Sequence, residues 1–288
     1  MITNLFDHDV LIGLPQAAGA AVLCLCVVFI CRRFGVRVEK ETSYSLLRGL
    51  IQMSVVGVLL ALILKGTLLI GALILFGMVI AAAVTASRRF VDLPYAFEIS
   101  LYSISAGAGT AIVFMLLSRS LTANVTVLVP VGSMIIANSM NACAQAMERL
   151  RADILAHAGQ IEAALCLGAE PSVSISPYMQ TSVYASLLPR LDMLKSLGLV
   201  WIPGVMAGML VSGASPLYAG VYQFVIVAMI LVASGISGMG VAALMQRHAF
   251  TAAGQLTLRA SPAKQLKGLG MWSRIVASVQ ASLFGKKN

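Results

Sequence analysis

The feature that most constrains this chain is a series of seven apolar stretches, at about 10–31, 46–64, 67–86, 98–118, 124–143, 198–213 and 218–246. Most approach the ~20 residues that a helix needs to cross a hydrocarbon core. They leave only 11% of the 288 residues charged and make 59% hydrophobic, where soluble domains carry roughly 25% charge. A soluble fold of that composition would expose apolar patches on every side, whereas a bilayer accepts them as its contact surface. The sequence therefore reads as an all-α polytopic membrane protein of about seven transmembrane helices. The stretch at 198–213 is the weakest. It has 16 residues and holds Trp201, Pro203, Gly204, Gly208 and Gly213, so it is either a broken helix or a re-entrant segment.

Charge assigns the sides. A net charge of +9 would suit nucleic acid if the basic side chains shared one folded face, but they fall in the gaps between apolar stretches, and no nucleic-acid partner is expected. If all seven stretches cross, eighteen of the twenty basic residues share one side and only Lys65 and Arg119 take the other. The positive-inside rule makes the rich side cytoplasmic. The N-terminus is then outside and the C-terminus cytoplasmic, in a multi-pass protein of the inner (plasma) membrane. Residues 1–256 form the transmembrane domain, and 257–288 a basic tail able to lie on anionic lipid. The first stretch follows Asp7 and Asp9 and precedes Arg32 and Arg33, the reverse of a signal peptide, so it is expected to be retained. The five cysteines form no C-x-x-C pair and suggest no redox role.

The one long connection, 144–197, is read as a cytoplasmic hairpin. Met147, Leu150, Ile154, His157, Ile161, Ala164 and Gly168 step by three or four, an amphipathic helical pattern that continues the fifth span. A break is expected near Gly168-Ala169-Glu170-Pro171, followed by a short helix from Pro177 to Leu188 closed by Pro189. Such a hairpin either receives a cytoplasmic partner or lies on the headgroups.

No ionisable residue falls in the middle of a span on this reading, which argues against a proton-coupled carrier. The polar groups that remain are concentrated. Met134, Asn138, Asn141 and Gln145 are spaced four, three and four, which places them on one face of the fifth helix. They either line a wet pathway, offering amide oxygens and a soft sulfur, or hydrogen-bond neighbouring helices as packing. Gln52 with Met53 is a second candidate. Pro203-Gly204 interrupts the sixth stretch and can open backbone carbonyls to a cavity; Met206 and Met209 are either soft ligands there or gap fillers. The ligands of any metal stay unassigned. Cys24 and Cys26 point about 200° apart on a helix and cannot share an ion.

Several blocks together resemble the FetB/YbbM family of ABC-type permeases, whose plant relatives include the aluminium-sensitivity permeases. They are Arg48-x-x-x-Gln52-Met53-x-x-x-Gly57, Pro130-x-Gly132 leading to Asn138-Ser139-Met140-Asn141, and Ile161-Glu162-x-x-Leu165-x-Leu167-Gly168-Ala169. Further on come Pro189-x-x-Asp192, Pro203-Gly204-Val205-Met206-Ala207-Gly208, Gly213-x-x-Pro216 and Tyr222-Gln223. Val205 and Ala207 stand where the family more often has Met and Thr. The resemblance implies a permease of an iron-export and metal-tolerance family, paired as a homodimer and working with a separate ATPase that binds ATP and Mg. Gln223 joins the pathway candidates on this ground. Glu162-Ala163-Ala164-x-x-x-Gly168, continued by Ala169 and Glu170, resembles the coupling loop of ABC permeases, which docks on the ATPase.

The sequence is consistent with that division, because no G-x-x-x-x-G-K-[ST] loop occurs in it. The chain is expected to bind no cofactor and to be no enzyme by itself: its three histidines lie outside the spans, without H-E-x-x-H or G-x-S-x-G. Alternative cargoes are a nucleotide sugar or a lipid-like solute, and the remaining alternative is a seven-span protein with no transport role.

Overall fold

A computed structural model describes residues 8–35, 39–63, 67–90, 93, 95–122, 124–250 and 255–256. Nine helices lie among the described residues, in two compact units, Met1–Gly66 and Thr67–Asn288. In the first unit α1 (His8–Arg33) and α2 (Glu39–Ile63) pack on each other. Val22, Phe29, Leu47 and Met53 are exposed on them, as expected of helices solvated by acyl chains.

The second unit contains α3 (Leu68–Ser87), α4 (Ala96–Leu117), α5 (Val125–Ala156), α6 (Ala158–Cys166), α7 (Pro171–Ser196), α8 (Gly204–Val211) and α9 (Pro216–Ala249). α5 and α9 form its centre: α5 packs on α3, α4, α7 and α9, and α9 also packs on α4, α7 and α8. Ile104, Met115, Ile135, Met147, Ile154 and Ile230 are fully buried between them. The Asn124 side chain caps α5 by accepting from Thr126 N–H at 3.2 Å, and Ser215 caps α9, which starts with Pro216. Both satisfy donors that a helix start leaves unpaired.

Five described helical segments are long and apolar enough to cross a membrane: Pro15–Arg33 of α1, α3, α4, α5 and α9. Six of the seven expected stretches coincide with single helices. The sixth does not. Of 198–213 only the eight residues of α8 are helical, ~12 Å of rise, too short to cross alone.

The larger difference concerns α7. It is one 26-residue helix running through Pro177 and Pro189, ~39 Å long, where the sequence suggests a short helix ended by Pro189. It lies against both α5 and α9. The starts of α5 and α9 share one end of the unit, where Thr126 and Pro130 line a cavity with Tyr218 and Tyr222. Pro171 and Arg247 meet at the other end. The chain therefore returns between these ends through α7 and then α8. The hairpin at 144–197 is only partly a projection: its second limb belongs to the bundle, and Arg190, expected among loop charges, is 5% exposed there.

Candidate functional site

The turn after α6 is built by its own sequence. Gly168 adopts a φ of 89°, which a residue with a β-carbon resists. Its N–H donates to Leu165 O, and Ala169 N–H donates to Ala164 O, both at 3.0 Å. These two bonds make a Schellman motif, which satisfies the last helix carbonyls and turns the chain into Pro171 at the start of α7. Ile161 is buried beneath α6. The His157 ring stacks on Tyr178 at 4.9 Å, and the Tyr178 hydroxyl donates to Gln160 Oε1 at 3.2 Å. On this base Glu162, Ala163, Gly168 and Glu170 are exposed, and Ala164 and Ala169 half-buried. Leu167 is 90% exposed at the tip. Beside the turn a cavity of about 600 Å³ is bounded by Glu170, Pro171, Gln246 and Arg247.

The same local design recurs at the opposite end. Gly213 has a φ of 89°, and Gly213 N–H and Ala214 N–H donate to Leu210 O and Met209 O. Gly168-Ala169-Glu170-Pro171 and Gly213-Ala214-Ser215-Pro216 thus each close a short helix and open a long one. Pro203 is buried and begins α8, Gly204 is exposed, and Met206 is half-buried. Val205 and Met209 of α8 line the cavity of about 320 Å³ shared with Tyr218 and Tyr222.

The polar stripe lies on one face of α5. Met134 and Asn138 are half-buried, and Asn141 and Gln145 exposed. Asn138 Nδ2 donates to its own helix at Met134 O, 2.9 Å. Gln145 joins another helix through Arg190, and Asn141 is exposed on the surface. Gln52 is exposed on α2 of the other unit. Gln223, on α9, is 2% exposed with both amide atoms unpartnered, an arrangement that ordinarily costs stability.

Arg190 is the residue that sequence reasoning missed. Its Nη1 donates to Gln145 Oε1 at 3.0 Å and its Nη2 to the Asn138 carbonyl at 3.1 Å, tying α7 to the stripe. The signal available was weak: an Arg directly after Pro189 in an apolar run, Leu187-Leu188-Pro189-Arg190-Leu191. Among the described residues no group of three or more His, Cys, Asp or Glu is placed to hold a metal ion, so no metal ligand set emerges from them.

Helices long and apolar enough to cross a bilayer, with polar groups on the central pair, define a multi-pass helical membrane protein. The chain belongs to the Uncharacterised protein family (UPF0014), which matches residues 14–250. It is 32% identical over 255 residues to the UPF0014 membrane protein STAR2 of Oryza sativa subsp. japonica, covering 87% of this chain and 88% of that one. To the protein ALUMINUM SENSITIVE 3 of Arabidopsis thaliana it is 31% identical, covering 85% and 90%. To the probable iron export permease protein FetB of Escherichia coli K12 it is 29% identical, covering 83% and 93%. No solved structure matches the chain.

Proposed function

We propose that this chain is the membrane subunit of an ABC-type exporter that moves metal ions, iron foremost, out of the cytoplasm, using ATP and Mg bound on a separate ATPase. The observation that carries the reading is the α6 turn. A short helix braced by Ile161 and Tyr178 and closed at Gly168 presents Glu162, Ala163 and Glu170 outward. A rigid exposed knob of this kind can transmit force from a docked partner, whereas a loose loop would absorb it. The likeness to a probable iron export permease supports the cargo class. In this reading the α6 end of the second unit faces the cytoplasm, and the chain supplies passage while the partner hydrolyses ATP.

The stripe on α5 supports a pathway completed by a second copy. Exposed Asn141 and Gln145 would be costly against lipid, and a two-fold partner would bring a second set of the same groups to face them. The test is reconstitution with the partner ATPase, reading metal-stimulated ATP hydrolysis and uptake of radiolabelled iron into inverted vesicles. Glu162→Ala and Gly168→Trp are expected to abolish stimulation and uptake. Unchanged activity in both variants would remove the coupling role.

A further inference from the structure

The Arg190 guanidinium is nearly enclosed between α7 and α5, at 5% exposure. Its two hydrogen bonds go to neutral acceptors, Gln145 Oε1 and the Asn138 carbonyl, and its Nε is buried without a partner. Of the carboxylates whose side chains are described, Asp153 pairs with Arg149, Asp192 with Lys195, and Glu98, Glu148, Glu162 and Glu170 are exposed. Buried charges are ordinarily paired. A guanidinium with no counter-charge among the described residues, beside a polar stripe, has the donor set for an absent anion. Its planar fork fits the two oxygens of a carboxylate or phosphate, and the amides of Asn141 and Gln145 lie along the same face of α5.

We infer that Arg190 is an oxyanion-binding residue: the transported solute carries carboxylate or phosphate oxygens, and a metal ion crosses as its anionic complex rather than as a bare cation. This deepens the permease reading above and rests on it. A bare dication moving along Met134, Asn138, Asn141 and Gln145 would be repelled by the guanidinium in a low-dielectric setting, and an anion drawn to it. In this structure Gln145 Oε1 stands in the place of one ligand oxygen. Parting of α5 from α7 exchanges that amide for the solute.

Binding to the full chain in lipid nanodiscs is measured with four probes: citrate, inorganic phosphate, Fe(II) alone and ferric citrate. Citrate or phosphate is expected to bind the wild type, to weaken by roughly tenfold or more in Arg190→Met, and to be partly retained in Arg190→Lys. Gln145→Glu supplies an internal carboxylate. It should keep or raise thermal stability while weakening anion binding by roughly tenfold, a loss that a merely structural brace would not produce. The citrate and phosphate arms separate the two anion chemistries, and ferric citrate tests the complex. The inference is overturned if neither anion binds the wild type, if Gln145→Glu leaves anion binding intact, or if Fe(II) alone binds wild type and Arg190→Met equally with no anion competing. Anion binding with this Arg190 dependence but no transport of any iron species overturns the metal-complex cargo and keeps Arg190 as an oxyanion-binding residue. Fe(II) transport indifferent to Arg190→Met keeps a metal cargo and overturns the inference.

Discussion

The Ser237 hydroxyl of α9 donates to the Ser103 carbonyl of α4 at 3.1 Å, a bond permitted because these helices meet through residues with almost no side chain. A β-carbon at Gly107 would fall on Ser237 and the Ala233 carbonyl, and one at Gly240 would lie 3.0 Å from Ser103 Oγ. Close backbone approach holds helices together where lipid removes the hydrophobic drive between them. Gly107→Ala is therefore expected to cost about 1–3 kcal/mol, since the obstructing atoms include backbone. Gly109 on the same helix has open space, and Gly109→Ala should be neutral or stabilise by up to about 1 kcal/mol. Thermal unfolding in nanodiscs compares the two, and equal effects would contradict so close a contact.

Gly168 and Gly213 end their helices with the same φ of 89°, so alanine at either should cost about 1–2 kcal/mol. Their functional effects should differ. Gly168→Ala is expected to reduce ATPase stimulation, while Gly213→Ala lowers stability by a similar amount with stimulation kept. Parallel melting curves and hydrolysis assays check this, and equal loss of stimulation would mean that Gly168 acts through stability alone.

Gln223 buries an amide with no partner. Replacing it with methionine, of similar length and without the polar atoms, should stabilise the chain by about 1–3 kcal/mol. Transport should fall at the same time if the amide serves the solute. A stabilised variant with full transport would reduce Gln223 to an unsatisfied core residue.

Asn141 offers a test of pairing. With Cys24, Cys26, Cys31 and Cys166 changed to serine, Asn141→Cys is expected to form a cross-linked dimer under mild oxidation. Val113, 54% exposed on α4, provides the control, and Val113→Cys should stay monomeric on gels. Equal cross-linking at both positions would indicate random collision.

Legibility followed the physics of each segment. The continuation of α5 beyond the fifth span was readable because Met147, Leu150 and Ile154 keep the helical spacing and are all buried. The same spacing runs on to Gly168, however, and hides the break at His157 between α5 and α6. The turn at Gly168 was readable because glycine followed by proline has few other uses. α7 was not. Its buried positions are Ile175, Ser182, Ser186 and Arg190, a face with almost no apolar stripe, and Pro177 and Pro189 look like helix ends. The prolines are accommodated within a helix held on two sides by α5 and α9.

The sequence by itself determined that this is a helical membrane protein, because burial in lipid depends on the summed hydrophobicity of each segment and needs no partner. It also determined the break that makes the α6 turn, since backbone preference at Gly168 and Pro171 is local. Only the tertiary structure decided that α7 and α8 together form the return limb, and that Arg190 lies enclosed against Gln145. The buried serines of α7 satisfy themselves on carbonyls of their own helix, but arginine can be buried only where a neighbouring helix supplies acceptors, and those lie 45 and 52 residues away in the chain.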